Sequence, residues 1–307
     1  MNRDRRHILV TGTHRSGTTW AGRTLAFPNE VELVYEPFNL DTTGYNFEYR
    51  FDHWFEFVPG SPKRKEIEKQ FDRYLPQNFI EWPVKVCRET GYSLKTPLIF
   101  TKHLLLSHQR PRFLLKDPIA LLSAGWLYER YGLAVICTIR HPLPFVGSLK
   151  KQGWDFDFRN LLDQQELAEG LLSEYQSEMK ESLRKSTFIE RASLLWKVLN
   201  HVILHYKEAY PEWKFVKHEN LASDPLQEFL TLYDYLNLDF TGEVKEYIES
   251  TTSSRNPAVA TSNDYQPRDA GKTIHNWKSR LNDEEIEKVL EITEPVRSQL
   301  YPVDPFQ

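Results

Sequence analysis

Residues 12–20, Gly-Thr-His-Arg-Ser-Gly-Thr-Thr-Trp, set two glycines five positions apart among small hydroxyl side chains. That pattern lets successive backbone N–H groups and the N-terminus of a following helix face one anion, so a phosphate-binding loop is the chemistry to expect. A Walker-type loop carries Gly-Lys-Ser/Thr at its end. Here Thr18 occupies the lysine position, which removes the cation that reaches the outer phosphates of a triphosphate and disfavours that ligand. A cation sits inside the loop instead. Arg15 is placed to neutralise charge growing on a bridging oxygen.

The chain around this loop alternates short apolar runs with helix-periodic segments. HILVTG, VELVYE, RFLLK, LAVICTIR and WKFVKHENL read as strands, four of them followed by helical patterns such as WAGRTLAF, IALLSAGWLYERYG, LPFVGSLKKQ and DPLQEFLTLYDYL. Strands alternating with helices predict an α/β fold of three layers with a mostly parallel central sheet and the phosphate loop after its first strand. In such sheets ligands bind beyond the carboxyl ends of the strands. Arg15, Glu36, Lys116, Arg140 and Glu219 lie at those ends. A last helix is expected over DEEIEKVLEITEPVRSQL, behind Asn282 as N-cap, and 253–272 reads as loop.

Taken together, RSGTTW between a first strand and first helix resembles the 5′-phosphosulfate loop of sulfotransferases, the enzymes that use 3′-phosphoadenosine-5′-phosphosulfate (PAPS). Arg140 and Ser148 keep the Arg-x7-Ser spacing of that family's 3′-phosphate site. LLKDP at 114–118 resembles the third-strand segment of tyrosyl-protein and related bacterial members, VKHENLASDP at 216–225 the segment after the last core strand, and GKTIHNWKSRL at 271–281 the stretch that closes over the nucleotide. The resemblance spans about residues 7–300, with 38–110 and 151–190 unmatched and expected to be acceptor-side insertions in a single sulfotransferase domain, 1–307. His218 stands where the family usually has Tyr, and the tail lacks the Arg-Lys-Gly triplet of small-molecule members.

The resemblance implies PAPS as co-substrate, 3′-phosphoadenosine-5′-phosphate (PAP) as product, and no metal cofactor. The nucleotide would contact His14, Arg15, Ser16, Gly17, Thr18, Thr19, Trp20, Arg140, Ser148 and a tail residue, for which Lys272 is the choice. Arg15 and Lys116 would meet the phosphosulfate bridge. Glu36 is the expected general base, because it terminates the second strand and Pro37 stops that strand from continuing. In tyrosyl-protein members a catalytic Glu follows the loop Arg at a similar distance. His14 and His53 stay open for the same role. Asp117 reads as a helix cap, and Glu219 as a residue that orders the cofactor side. The acceptor is expected to be a carbohydrate, glycolipid or other small metabolite, met by aromatic residues of 45–57 and by Trp154, Phe156 and Phe158; core packing is the competing reading of those rings. A phosphate-loop kinase or NTPase and a non-catalytic PAP-binding module are the alternatives.

Composition bounds these readings. The 307 residues carry 39 Lys+Arg and 43 Asp+Glu, a formal net charge of −4, and are 40% hydrophobic, enough for a sizeable core. Mild acidity gives no general attraction to nucleic acid or anionic membranes. No apolar run approaches the ~20 residues of a membrane span, and no signal-peptide pattern opens the chain, so no membrane insertion and a cytoplasmic location are expected. Oligomeric state stays open. Two cysteines, Cys87 and Cys137, exclude a disulfide scaffold, and Cys137 inside AVICTI reads as a buried apolar residue. His201 and His205 have helical spacing but no evident third ligand, and read as ordinary helix residues.

Overall fold

Among the described residues, five short strands form one parallel sheet: β1 (Ile8–Gly12), β2 (Val31–Tyr35), β3 (Arg112–Lys116), β4 (Ala134–Ile139) and β5 (Lys214–Lys217), in the order β2-β3-β1-β4-β5. All five coincide with apolar runs read from the sequence, and the sheet is wholly parallel. The computed structural model describes residues 6–41, 50–75, 112–257, 266–267 and 269–306. Cys87, much of the 38–110 insertion and part of the 253–272 loop lie outside them.

Strand side chains alternate between two apolar layers, as a two-residue period requires. Ile8, Val10, Leu114 and Ile136 face one core, closed by α1 (Thr18–Leu25) together with α7 (Pro225–Leu236) and α8 (Gly242–Thr252). Leu9, Leu115, Val135 and Cys137 face the other, closed by α3 (Ala124–Tyr131), α4 (Pro142–Gln152), α5 (Phe188–Ala209) and α9 (Asp283–Leu300). The described helices also include α2 (Arg64–Tyr74) and α6 (His218–Ser223). Burial raises the Cys137 thiol pKa far above its ordinary value, so this cysteine packs as an apolar group. Between α4 and α5 the acidic insertion folds into short helical turns that bury Phe158, Leu161, Leu167, Leu172 and Met179.

Both long helices of the second layer start on capping boxes, Thr187 with Glu190 for α5 and Asn282 with Glu285 for α9. Beyond α9 the tail returns to the sheet edge. Tyr301 Oη donates to Glu219 Oε2 at 2.9 Å, while Glu219 Oε1 accepts the His141 N–H at 3.0 Å. His141 is enclosed by the rings of Tyr301 and Phe306, and its Nδ1 accepts the Leu143 N–H as the cap of α4. Burial holds the His141 pKa down at about 4 despite Asp304 beside its Nε2. Its neutral form therefore contributes stability that is complete above about pH 6.5 and is lost as pH falls towards 4. Thermal unfolding of His141→Asn, which keeps a capping oxygen, should show this: the variant gains on the wild type as pH is lowered from 7 to 5.

Candidate active site

The strand register decides which residues share an edge. Val10 pairs with Lys116, Tyr35 with Lys116, Gly12 with Thr138, and Ile139 with Lys217. The first loop, Glu36, Lys116, Arg140 and His218 therefore emerge side by side at the carboxyl end of the sheet, on both sides of β1 where the strand order reverses.

Residues 12–17 form a tight loop into α1. Arg15 at φ 64° and Gly17 at φ 91° both occupy the left-handed region. Gly17 is the N-cap of α1, no side chain caps that terminus, and its first turn has no acidic residue. The free N–H groups and the positive end of the helix dipole are left to an external anion. Ser16 is buried and fixes the loop from below: its Oγ donates to the Thr13 carbonyl and lies 2.6 Å from Thr138 Oγ1 of β4. A Cβ on Gly17 would stand 2.5 Å from His218 Nδ1, in a conformation that alanine adopts only under strain. Gly17→Ala should thus destabilise the protein by about 2 kcal/mol and abolish anion binding to the loop, measurable by thermal unfolding and nucleotide titration.

Two cations are held against this loop. Arg15 Nε donates to Ser148 Oγ at 2.9 Å, and the Arg15 guanidinium lies 5.3 Å from the ring centre of Trp154. Arg140 donates from Nη1 to the Arg15 carbonyl at 2.6 Å and is itself fixed through its carbonyl, which accepts Trp196 Nε1–H at 2.7 Å. Ser148 is buried two turns into α4 and reaches the site through Arg15.

Across the cleft, Glu36 takes a left-handed backbone, φ 45°, directly before Pro37. A non-glycine residue in that region stores about 1–3 kcal/mol and persists only where its surroundings enforce it. Lys116 Nζ donates to Glu36 Oε1, Asn39 Nδ2 donates to Oε2 at 2.5 Å, and the Lys116 ammonium sits 3.3 Å from the Tyr35 ring centre. Lys116 is 1% exposed and Glu36 14%, so the pair presents its carboxylate to the cleft and keeps its ammonium beneath. Gly22 of α1 leaves the space through which the Lys116 stem passes: a Cβ there would be 2.6 Å from Lys116 Cγ.

These groups border one cavity of about 780 Å³. His14, Arg15, Gly17, Thr18, Thr19 and Trp20 line it from the loop, Glu36 and Arg140 from the neighbouring strand ends, and Thr251, Gln266, Ala270 and Thr273 from the C-terminal side. Ser16, Lys116 and Ser148 support that wall without lining it. Lys272 is not among the lining residues: its Nζ pairs with Asp269 Oδ2 at 3.0 Å and its side chain is 68% exposed, while Ala270 and Thr273 beside it line the cavity. Trp54, Phe55, Trp154 and Phe156 also line it, with Asn160 and Asp157. Of the aromatic residues expected there, Phe51 and Phe158 belong to the core.

The other candidate bases read from the sequence have different surroundings. His14, between the rings of Phe55 and Phe145, has its pKa lowered to about 3 by burial and by Arg15. Such a ring is neutral and a weak base. Asp117 is fully buried, and its oxygens accept the N–H groups of Phe38, Ile119 and Ala120. Its reading as a cap holds. Burial raises the Asp117 pKa to about 7, against the pull of the Phe38 N–H. Glu219 is taken up by His141 and Tyr301. His53 is not among the residues that line the cavity. His201 contacts Tyr175 and Glu174, and among the described residues no three metal-ligating side chains gather. Nor is any described helix long and apolar enough to cross a membrane.

No family model and no curated protein matches the chain. The chain is similar to solved sulfotransferases. The sulfotransferase domain of the Synechococcus PCC 7002 olefin synthase is 14% identical, with 95% of this chain and 96% of that one covered and a TM-score of 0.45. The sulfotransferase domain of the curacin biosynthetic pathway is 15% identical, covering 96% and 97%, at 0.46. A mouse sulfotransferase complexed with PAP is 10% identical, covering 100% and 87%, at 0.43. Likenesses at this level carry no argument about activity, which rests on the site itself.

Proposed function

We propose that this protein transfers a sulfuryl group from PAPS to the hydroxyl of a carbohydrate, glycolipid or other small metabolite. The carrying observation is that an uncapped phosphate loop with Thr18 in place of the Walker lysine shares one cavity with two cations, Arg15 and Arg140, and with Glu36 just beyond β2; of the other carboxylates that line it, Asp155 and Asp157 pair with Arg191 and Arg159, and Asp41 is exposed. The N–H groups of the loop and of the α1 terminus suit the 5′-phosphate, and Arg140 with Thr251, Thr252 and Thr273 suits the 3′-phosphate side. A cavity of this size accommodates a nucleotide and a small acceptor end to end.

In the reaction, the acceptor oxygen forms a bond to sulfur as the bond from sulfur to the bridging phosphate oxygen breaks. The acceptor proton passes to the Glu36 carboxylate, and Arg15 offsets the charge left on the phosphate. Positioning and charge stabilisation supply most of the catalysis, as in phosphoryl transfer. Glu36 suits the base role because it lines the cavity, which Asp117 and Glu219 do not, and because His14 is too weak a base. The aromatic residues of the lining, interspersed with Asn160 and Asp157, offer apolar faces and hydrogen-bonding edges together, the combination a sugar ring presents in return.

Ligand-dependent thermal stabilisation separates this reading from a kinase. PAP at 100 times its dissociation constant should raise stability by about 2.7 kcal/mol, with ATP–Mg²⁺ ineffective. Stabilisation by ATP–Mg²⁺ alone would reverse the assignment.

A further inference from the structure

We propose that Asp117 is a positioning residue for Glu36, a part beyond its role as a helix cap. This inference rests on the sulfuryl-transfer reading for its kinetic arm only. The Lys116–Asp117 dipeptide brackets the strained turn after β2 from both sides. The Glu36 N–H donates to the Lys116 carbonyl at 2.9 Å, and the Phe38 N–H donates to Asp117 Oδ2 at 2.6 Å. Between these two anchors lie Glu36, with its left-handed backbone, and Pro37. Asp117 is itself immobilised. Its N–H donates to the Val10 carbonyl at 2.9 Å, and its Oδ1 accepts from Ile119 at 2.9 Å and Ala120 at 3.2 Å. Phe38, pinned in this way, is fully buried and stacks on Phe51 at 4.3 Å.

The residue type follows from this geometry. Three N–H groups converge from two directions on two oxygens, and a carboxylate, the form held above its pKa of about 7, accepts through both. An asparagine has one acceptor oxygen and would turn its NH₂ towards one of the donors. A serine hydroxyl retains a cap over Ile119 and Ala120 but does not extend to Phe38. Asp117 therefore converts the rigid junction of β1 and β3 into a fixed backbone for Glu36, whose carboxylate borders the cavity while Asp117 does not.

Asp117→Ser and Asp117→Asn, each alone and combined with Glu36→Gln, test the proposal. Amide hydrogen exchange at Phe38 and Asn39 should accelerate at least about tenfold in the Asp117 variants, with β1 and β4 amides unchanged. PAP affinity should stay within about threefold, whereas kcat should fall by about 10–10²-fold, the scale of a ~1 Å misplacement of a catalytic group. In the Glu36→Gln background the Asp117 substitutions should lower kcat no further, because the carboxylate they position is already gone. Unchanged exchange at Phe38 would overturn the proposal. So would multiplicative effects in the double variants, or loss of PAP binding and of the folded state in both single variants, which would make Asp117 a general stabiliser. A wild-type protein that fails to turn over PAPS would sink the sulfuryl-transfer reading instead, and exchange at Phe38 would then decide the part of Asp117 alone.

Discussion

Glu36→Gln should lower kcat by about 10²–10⁴-fold, the contribution expected of a positioned general base, while PAP affinity stays close to that of the wild type. The amide keeps an oxygen for Lys116 and a similar shape, so the left-handed turn survives, although its NH₂ replaces the oxygen that accepted from Asn39 Nδ2. What disappears is the capacity to take the acceptor proton. The substitution also leaves the buried Lys116 ammonium without a countercharge, and removing one partner of a buried pair costs about 3 kcal/mol. Kinetics should therefore be measured at saturating PAPS, where nucleotide binding keeps the protein folded. Full turnover in the variant would move the base elsewhere, and the nearest alternative, His14, has its pKa held at about 3.

Arg140→Ala should raise the dissociation constant for PAP by about 10–10²-fold, the range of a charge-assisted hydrogen bond, and lower kcat at saturating PAPS by less than about tenfold. The proposed phosphate contact exists before and during the reaction, so its loss weakens binding without selectively raising the barrier. A smaller kcat effect enters because Arg140 also holds the Arg15 carbonyl, and with it the loop backbone. Titration by calorimetry and single-turnover kinetics distinguish the two contributions. If only kcat fell, Arg140 would serve the sulfuryl end and the 3′-phosphate would lie elsewhere.

The parts of this site that were legible in the sequence are those fixed by local chemistry. A glycine-bounded loop before a helix, apolar runs ending in Glu36, Lys116 and Arg140, the Asp117 cap and the Asn282 N-cap each follow from neighbours within a few residues. Other features depend on strand register and on segments far apart in the chain. The bond between Ser16 and Thr138 needs β1 beside β4, and the passage of Lys116 across Gly22 needs β3 beside α1. The return of Trp154 over Arg15 and the packing of His218 on Gly17 require the αL residue Gly153 and the exit of β5. Lys272 illustrates the limit. A cation at the right place in sequence was aimed by its own cap, Asp269, into a local ion pair.

A crystal structure with PAP bound tests the central claim most directly. It should show the 5′-phosphate on the N–H groups of residues 17–20 with the Arg15 guanidinium beside it, the 3′-phosphate against Arg140, and the Glu36 carboxylate facing open space beyond the 5′-phosphate. PAP bound outside this cavity, or seated in it with Glu36 turned away from the reactive end, would contradict the account.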